Sequence, residues 1–382
     1  MLKYTGHPLV DVGVATIAAF VNKRDPASLT EDDLDKVADY MASQYVVDPL
    51  KSFLTVAFFN SGFTNPAFNK APKKRAEYAE RVLRAYRANT PRPAERCVFT
   101  GEPAVGIAFS ENLPPGRAFR QHIPLLTGEG VINFHPWGDV GLPVSGIAIL
   151  AIHAFPLGCA KCDGRLLAVH SDNPDLIYDF AAEFLEYNRK AITLAQQGSS
   201  TKLPEAGSSA KTLLVKTLLK VELNRRDEAR ERHPASVTAY HLSNLGATPS
   251  LDIYHLPLEL TEFLREIISP GYKTEWDAIA RRAWWLSQPK RKGKGGESDQ
   301  EEATRSQRNV LYEDLLQLPG NARQFVRRYF LRIPVRTRSE RPTSYLFPAR
   351  GSRACLMETY RAILEEGDEH GQRAHPTDSG TR

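Results

Sequence analysis

The residues best suited to chemistry in this chain are Cys159-Ala160-Lys161-Cys162-Asp163-Gly164. Two thiols two residues apart, with a glycine following, make a tight knuckle that can present both sulfurs to one Zn²⁺. A four-ligand site needs a second knuckle. The matching stretch, Cys97-Val98-Phe99-Thr100-Gly101, keeps the first cysteine and the glycine but has threonine, a poor zinc ligand, in the second position. Cys97, Cys159 and Cys162 are therefore a degenerate candidate zinc site, one ligand short, which His153, His170 or Cys355 could complete. The alternative is three buried apolar thiols in a knuckle without metal. Pro156 to Cys162 partly matches the P-C-x-x-C of zinc deaminases, but none of the ten histidines is followed by x-Glu, the proton shuttle that chemistry needs. His135, His153 and His170 lie close enough in sequence to leave a metal-dependent nuclease as the rival, enzymatic reading.

Other routes to catalysis have no anchor. There is no G-x-x-x-x-G-K-[ST] phosphate loop, no strand-linked G-x-G-x-x-G, no H-E-x-x-H and no G-x-S-x-G elbow. The chain is expected to bind rather than to catalyse.

Basic residues supply the second kind of candidate. Residues 70–96 hold Lys70, Lys73, Lys74, Arg75, Arg81, Arg84, Arg87, Arg92 and Arg96 against Glu77, Glu80 and Glu95. Residues 323–353 are more one-sided: Arg323, Arg327, Arg328, Arg332, Arg336, Arg338, Arg341, Arg350 and Arg353 stand against Glu340 alone, with Tyr329, Phe330, Tyr345 and Phe347 interleaved. Guanidinium planes beside aromatic rings suit phosphate contacts and base stacking. A solvated helix face would have the same composition. The polar stretch with Asn60, Ser61 and Asn65 opens onto Lys70, Lys73 and Lys74. Asparagine can read base edges while lysine holds phosphate; the alternative is that Asn60 and Asn65 are turn and cap residues.

The elements that must position these groups make an α+β chain. It reads as mainly helical, with a small central mixed or antiparallel sheet carrying the knuckle and a helical C-terminal region. Residues 1–95 form a helical N-terminal region in which Thr30-Glu31-Asp32-Asp33 has the capping-box arrangement. Helices are expected at 49–59 and 72–88. Residues 96–200 hold β-prone runs at 105–109, 131–134, 146–154 and 165–169, then a helix at 174–195. After a polar connector at 196–209, the region 201–288 reads as helical over 210–231, 257–268 and 274–287. Residues 289–300 lack any large apolar side chain and read as a linker. Residues 301–366 form a basic helical module (305–331 and 352–366), and 367–382 a disordered tail.

With 382 residues, a formal charge of +5, 42% apolar and 25% charged residues, the chain has room for two or three globular domains. Its longest apolar run, 144–157, is too short to span a bilayer. The opening residues lack a secretory pattern, and four cysteines do not make a disulfide scaffold. A cytoplasmic protein without membrane contact is expected.

Several stretches resemble the CRISPR-associated CXXC–CXXC family, the large subunit of type I-B and related Cascade complexes. They are Lys3-Tyr4-Thr5-Gly6-His7-Pro8-Leu9-Val10-Asp11-Val12-Gly13, Phe58-Phe59-Asn60-Ser61-Gly62-Phe63-Thr64-Asn65-Pro66, Gly141-Leu142-Pro143-Val144-Ser145-Gly146, and Pro156 to Asp172 with its Val169-His170-Ser171-Asp172. Tyr240-His241-Leu242-Ser243-Asn244 and Ile253-Tyr254-His255-Leu256-Pro257 complete a resemblance over residues 3–260. Thr100 departs from the family's paired CXXC pattern. The resemblance implies a non-catalytic subunit bound to crRNA and target double-stranded DNA, reading a protospacer-adjacent motif while guide pairing reads the rest. It also implies partners: a subunit gripping the crRNA 5′ handle, backbone subunits, and a small subunit where the C-terminal bundle is supplied separately. Cleavage would fall to a recruited nuclease-helicase, or give way to transposition in a CRISPR-associated transposon.

Overall fold

The computed structural model describes residues 2–109, 113–126, 140–230, 233, 235–245, 249–285 and 307–329. The chain divides into two compact units. One comprises Met1–Ala206 with Thr238–Ile253; the other comprises Gly207–Val237 with the described residues from Tyr254 onward. Residues 1–95 and 96–200 thus share one core rather than forming separate regions.

In the first unit, α1 (Pro8–Phe20) is apolar on nearly every side, as a helix surrounded by protein must be. It packs on α5 (Gly146–Ala154) and α6 (Pro174–Gln197). Gly13 permits this: a Cβ there would lie 1.9 Å from the Ala151 carbonyl oxygen. The helix α2 (Glu31–Gln44) begins at Thr30, whose hydroxyl accepts from the Asp33 amide while the Asp33 carboxylate accepts from the Thr30 amide, the expected capping box. Short α3 (Leu50–Leu54) precedes α4 (Pro72–Leu83). The strands β1 (Arg117–Ala118) and β2 (Leu142–Pro143) form a small antiparallel ribbon.

A four-stranded sheet has the order β3-β4-β5-β6, with β3 at Ala160–Cys162, β4 at Arg165–Ser171, β5 at Val237–Ser243 and β6 at Ser250–Leu256. The antiparallel pair β3–β4 turns through Asp163 and Gly164, both at positive φ (50° and 74°). Asp-Gly is the sequence such a two-residue turn favours.

The second unit is built from α7 (Ala210–Asp227), α8 (Leu258–Ile267), α9 (Lys273–Arg282), the β7 (Trp284–Trp285) and β8 (Arg308–Asn309) ribbon, α10 (Val310–Leu315) and α11 (Ala322–Tyr329). Trp276 lies at its centre, edge-on to Phe263 and stacked with Tyr312. Among the described residues no helix is long and apolar enough to cross a membrane.

Mixed helix and sheet is as expected, and so are the helices at 174–195 and 257–268. Residues 146–154 are helix α5 rather than strand. Ser145 caps it by accepting from the Ala148 amide, and eight of its nine residues are buried, a run whose periodicity cannot separate buried helix from buried strand. Residues 105–109 are irregular. The region 201–288 also supplies β5 and β6 to the sheet, where helix alone was expected. The helix expected over 305–331 is split into α10 and α11 at Leu318-Pro319-Gly320. The expected strand at 131–134, the linker 289–300, the helix 352–366 and the tail 367–382 lie outside the described residues.

Candidate nucleic-acid interface

The turn after α3 is fixed from below by aromatic packing. Phe58 stacks on His153 with ring centroids 4.5 Å apart, and Phe63 meets Tyr45 and Tyr78 edge-on at 5.6 and 5.1 Å. Gly62 lies against the Tyr78 ring, where a Cβ would be 2.4 Å from Cγ. Ser61 is fully buried. Its hydroxyl lies 3.1 Å from Thr64 Oγ1, and Thr64 in turn donates to the Phe58 carbonyl at 2.7 Å. The expectation that Ser61 contacts nucleic acid is therefore corrected: it holds the turn shut from inside.

Asn60 is exposed at the apex with φ 59°, a left-handed conformation that asparagine tolerates. Asn65 caps the short 3₁₀ turn Pro66–Lys70 by accepting from the Ala67 amide at 2.9 Å. Lys70, Lys73 and Lys74 are all exposed, the last two in the first turn of α4. Asn69, just before Lys70, accepts from Lys51 Nζ at 2.9 Å and from Arg75. The expected polar turn leads along the chain into the lysines, and Asn60, Lys70, Lys73 and Lys74 are all at the surface.

The distal half of the basic segment behaves differently. Arg84 is 13% exposed and binds Asp35 at 2.6 Å, Glu80 at 2.9 Å, and Asp39. Arg87 binds the same Asp35 at 3.0 Å and Glu80 at 3.2 Å. The hydrogen bond from the Tyr86 hydroxyl, opposed by burial, together with these arginines holds the Asp35 carboxyl below the usual carboxylate range. Arg92 and Arg96 donate to the Tyr86 and Gly101 carbonyls.

Sequence reasoning missed what braces the turn. Asn244 donates through Nδ2 to the Ala57 carbonyl (2.9 Å) and accepts from Arg120 Nε (3.0 Å), while its amide donates to the Val56 carbonyl (2.7 Å). Arg120 lies over the Phe59 ring at 5.6 Å. The residues leading into 58–66 and the stretch 240–244, far apart in sequence, are thus joined through Asn244, and Arg120 extends the link to Phe59. Stretches 3–13 and 156–172 are joined similarly: Asp11 accepts from the Thr5 amide (2.6 Å), the Gly6 amide (2.9 Å) and His170 Nε2 (3.1 Å). Burial alone would raise the Asp11 carboxyl, but these donors outweigh it and hold it below its ordinary value.

The knuckle cysteines face inward. Cys159 and Cys162 are both fully buried and Cys97 is 2% exposed. Cys159 Sγ donates to the Phe155 carbonyl at 3.1 Å, and Cys162 Sγ lies 3.7 Å from His241 Nε2, which itself bonds the Cys162 carbonyl at 3.0 Å. Burial raises the Cys159 thiol well above its usual value and pushes Cys162 up to about 12. Thr100 pairs with Ser145 rather than facing the knuckle thiols, and His153 and His170 are engaged with Ile149 and Asp11. Among the described residues no group of three or more His, Cys, Asp or Glu side chains is placed to hold a metal ion. Cys355 and His135 lie outside the described residues.

In the second unit α11 presents Arg323, Arg327 and Arg328 outward, while Phe325 and Tyr329 are buried with ring centroids 4.9 Å apart. Arg328 pairs with Asp314, as does the Tyr329 hydroxyl. Arg332 and Arg336 lie outside the described residues. Compared with known proteins, the chain matches no family model, no curated protein and no solved structure.

Proposed function

We propose that this chain is a non-catalytic large subunit of a type I CRISPR surveillance complex, binding crRNA-guided target DNA and reading a protospacer-adjacent motif through the 58–74 turn. The observation that carries the reading is the turn itself, closed from inside by Ser61 and Thr64, with Asn60, Lys70, Lys73 and Lys74 all exposed. One base-edge group with several phosphate-binding ammonium groups is what reading a short motif requires. The joining of the quoted stretches through Asn244 and Asp11 supports treating them as parts of one design.

The test is reconstitution of the full chain with crRNA, handle-binding and backbone subunits. Asn60→Gly keeps the left-handed backbone and removes only the amide. Motif-dependent target binding by the wild type, and weakened discrimination between motif and scrambled motif in the variant, is the expected result. Failure of the wild-type chain to join the assembly, or cleavage of DNA by the purified chain with Mg²⁺ or Mn²⁺, would overturn the reading.

A further inference from the structure

Lys51 in α3 and Arg75 in α4 lie on either side of the 58–74 turn in sequence, yet both reach one oxygen atom. Asn69, late in the short 3₁₀ turn Pro66–Lys70, accepts through Oδ1 from both. The bonds measure 2.9 Å from Lys51 Nζ and 2.5 Å from Arg75 Nη2, so the two nitrogens are no more than 5.4 Å apart.

Two positive charges at that separation repel, and a neutral amide does not balance them. Among the described residues neither Lys51 nor Arg75 is paired with a carboxylate. The nearby acids are engaged elsewhere. Glu77 binds Arg81, Glu80 binds Arg84 and Arg87, and Asp48 accepts from Ser52 Oγ at 2.7 Å. Arg84 and Arg87 make the contrast, since those two neighbouring cations share Asp35 and Glu80. At Asn69 the chain supplies two cations and no acid. Lys70, Lys73 and Lys74, exposed in the same stretch, add to the surplus.

Each cation spends one N–H on Asn69 and keeps its other donors. A tetrahedral anion suits such a pair, because its oxygens can each accept a charge-assisted hydrogen bond from a different nitrogen. We propose that Lys51 and Arg75, held in place by Asn69, form a seat for one phosphate group. Bonded to a shared third residue, both side chains have less freedom to lose on binding than a lysine surrounded by water. The seat would fix where a strand lies without reading its sequence. That source of the phosphate, a nucleic-acid backbone, rests on the function proposed above; the seat itself does not.

Two measurements on the full chain test the seat. Arg75 Nε is shielded from solvent, so its N–H signal in arginine-labelled protein reports on the guanidinium. Titration with inorganic phosphate should shift that signal saturably, whereas chloride or acetate at equal ionic strength should not. Lys51→Gln should abolish the response. Affinity for a short DNA duplex over a salt series is the second measurement. The double variant Lys51→Gln with Arg75→Gln should flatten the slope by about 0.9, one shared phosphate, rather than the about 1.8 of two separate contacts. A saturable phosphate response with an unchanged DNA slope would assign the seat to a free phosphate. If the wild type does not bind duplex, the function proposed above fails and the phosphate titration alone judges the seat. The inference is overturned if phosphate shifts the Arg75 signal no more than chloride or acetate does. Asn69 would then be only a staple across the turn, and both variants would lower the melting temperature alone.

Discussion

In the first unit, Lys70, Lys73 and Lys74 are exposed just before and at the start of α4, while Arg84 and Arg87, just past its end, are clamped by Asp35, Asp39 and Glu80. In the second, Arg323, Arg327 and Arg328 all line the exposed side of α11, and Arg328 reaches Asp314. Both segments show a surplus of positive charge in sequence. The difference is that α2 brings Asp35 and Asp39 to Arg84 and Arg87 from about fifty residues earlier in the chain, so these arginines serve folding. A local excess of lysine and arginine indicates a binding face only after distant partners have been subtracted.

Acid should separate the two regions most strongly. His122 and His153 have folded values below the ordinary 6.5, so the unfolded chain binds more protons as pH falls beneath that value. Their stabilisation is complete above about pH 6.5 and is lost on acidification towards their folded values near 4 and 3, at up to about 1.4 kcal/mol per pH unit for each histidine. Hydrogen exchange followed from pH 7 to 4 should show the 58–74 turn loosening before α11. Simultaneous loosening, or none, would break the distinction.

Gly62→Ala comes next, because its methyl would overlap the Tyr78 ring. A loss of about 2–3 kcal/mol is expected in denaturant unfolding, with α11 unaffected. Arg84→Ala should cost about 1–2 kcal/mol, since it takes one arginine from three carboxylates and leaves Asp35 and Glu80 to Arg87 alone, and should leave the salt dependence of DNA binding unchanged. A flattened salt slope in that variant would mean that Arg84 contacts phosphate after all.

Parts of this arrangement were legible in the sequence. The Thr30 capping box, α6, β4 and the polar turn opening on lysines all follow from local signals: cap spacing, apolar periodicity and turn chemistry. The helix α5 was not, because a fully buried apolar run carries no face to read. Ser61 was misread because a hydroxyl in a polar turn looks the same whether it faces water or closes the turn from within. The Cys-x-x-Cys knuckle drew attention as a metal motif, yet its Asp163-Gly164 is equally a hairpin turn, and burial of the thiols is a tertiary property. Asn244 was quoted only as part of a motif, since nothing local announces that its amide braces a turn nearly two hundred residues earlier.

The smallest expected change in stability, within about 0.5 kcal/mol, is that of Lys70→Ala, Lys73→Ala and Lys74→Ala combined, because all three side chains are exposed. The same variant tests the central claim most directly. Affinity of the purified full chain for a short DNA duplex is measured over a series of salt concentrations, for wild type and triple variant. Each phosphate contact contributes about 0.9 to the slope of log affinity against log salt, so three lost contacts should flatten it by about 2–3 units. An unchanged slope in a folded triple variant would contradict the assignment of nucleic-acid binding to the 58–74 turn.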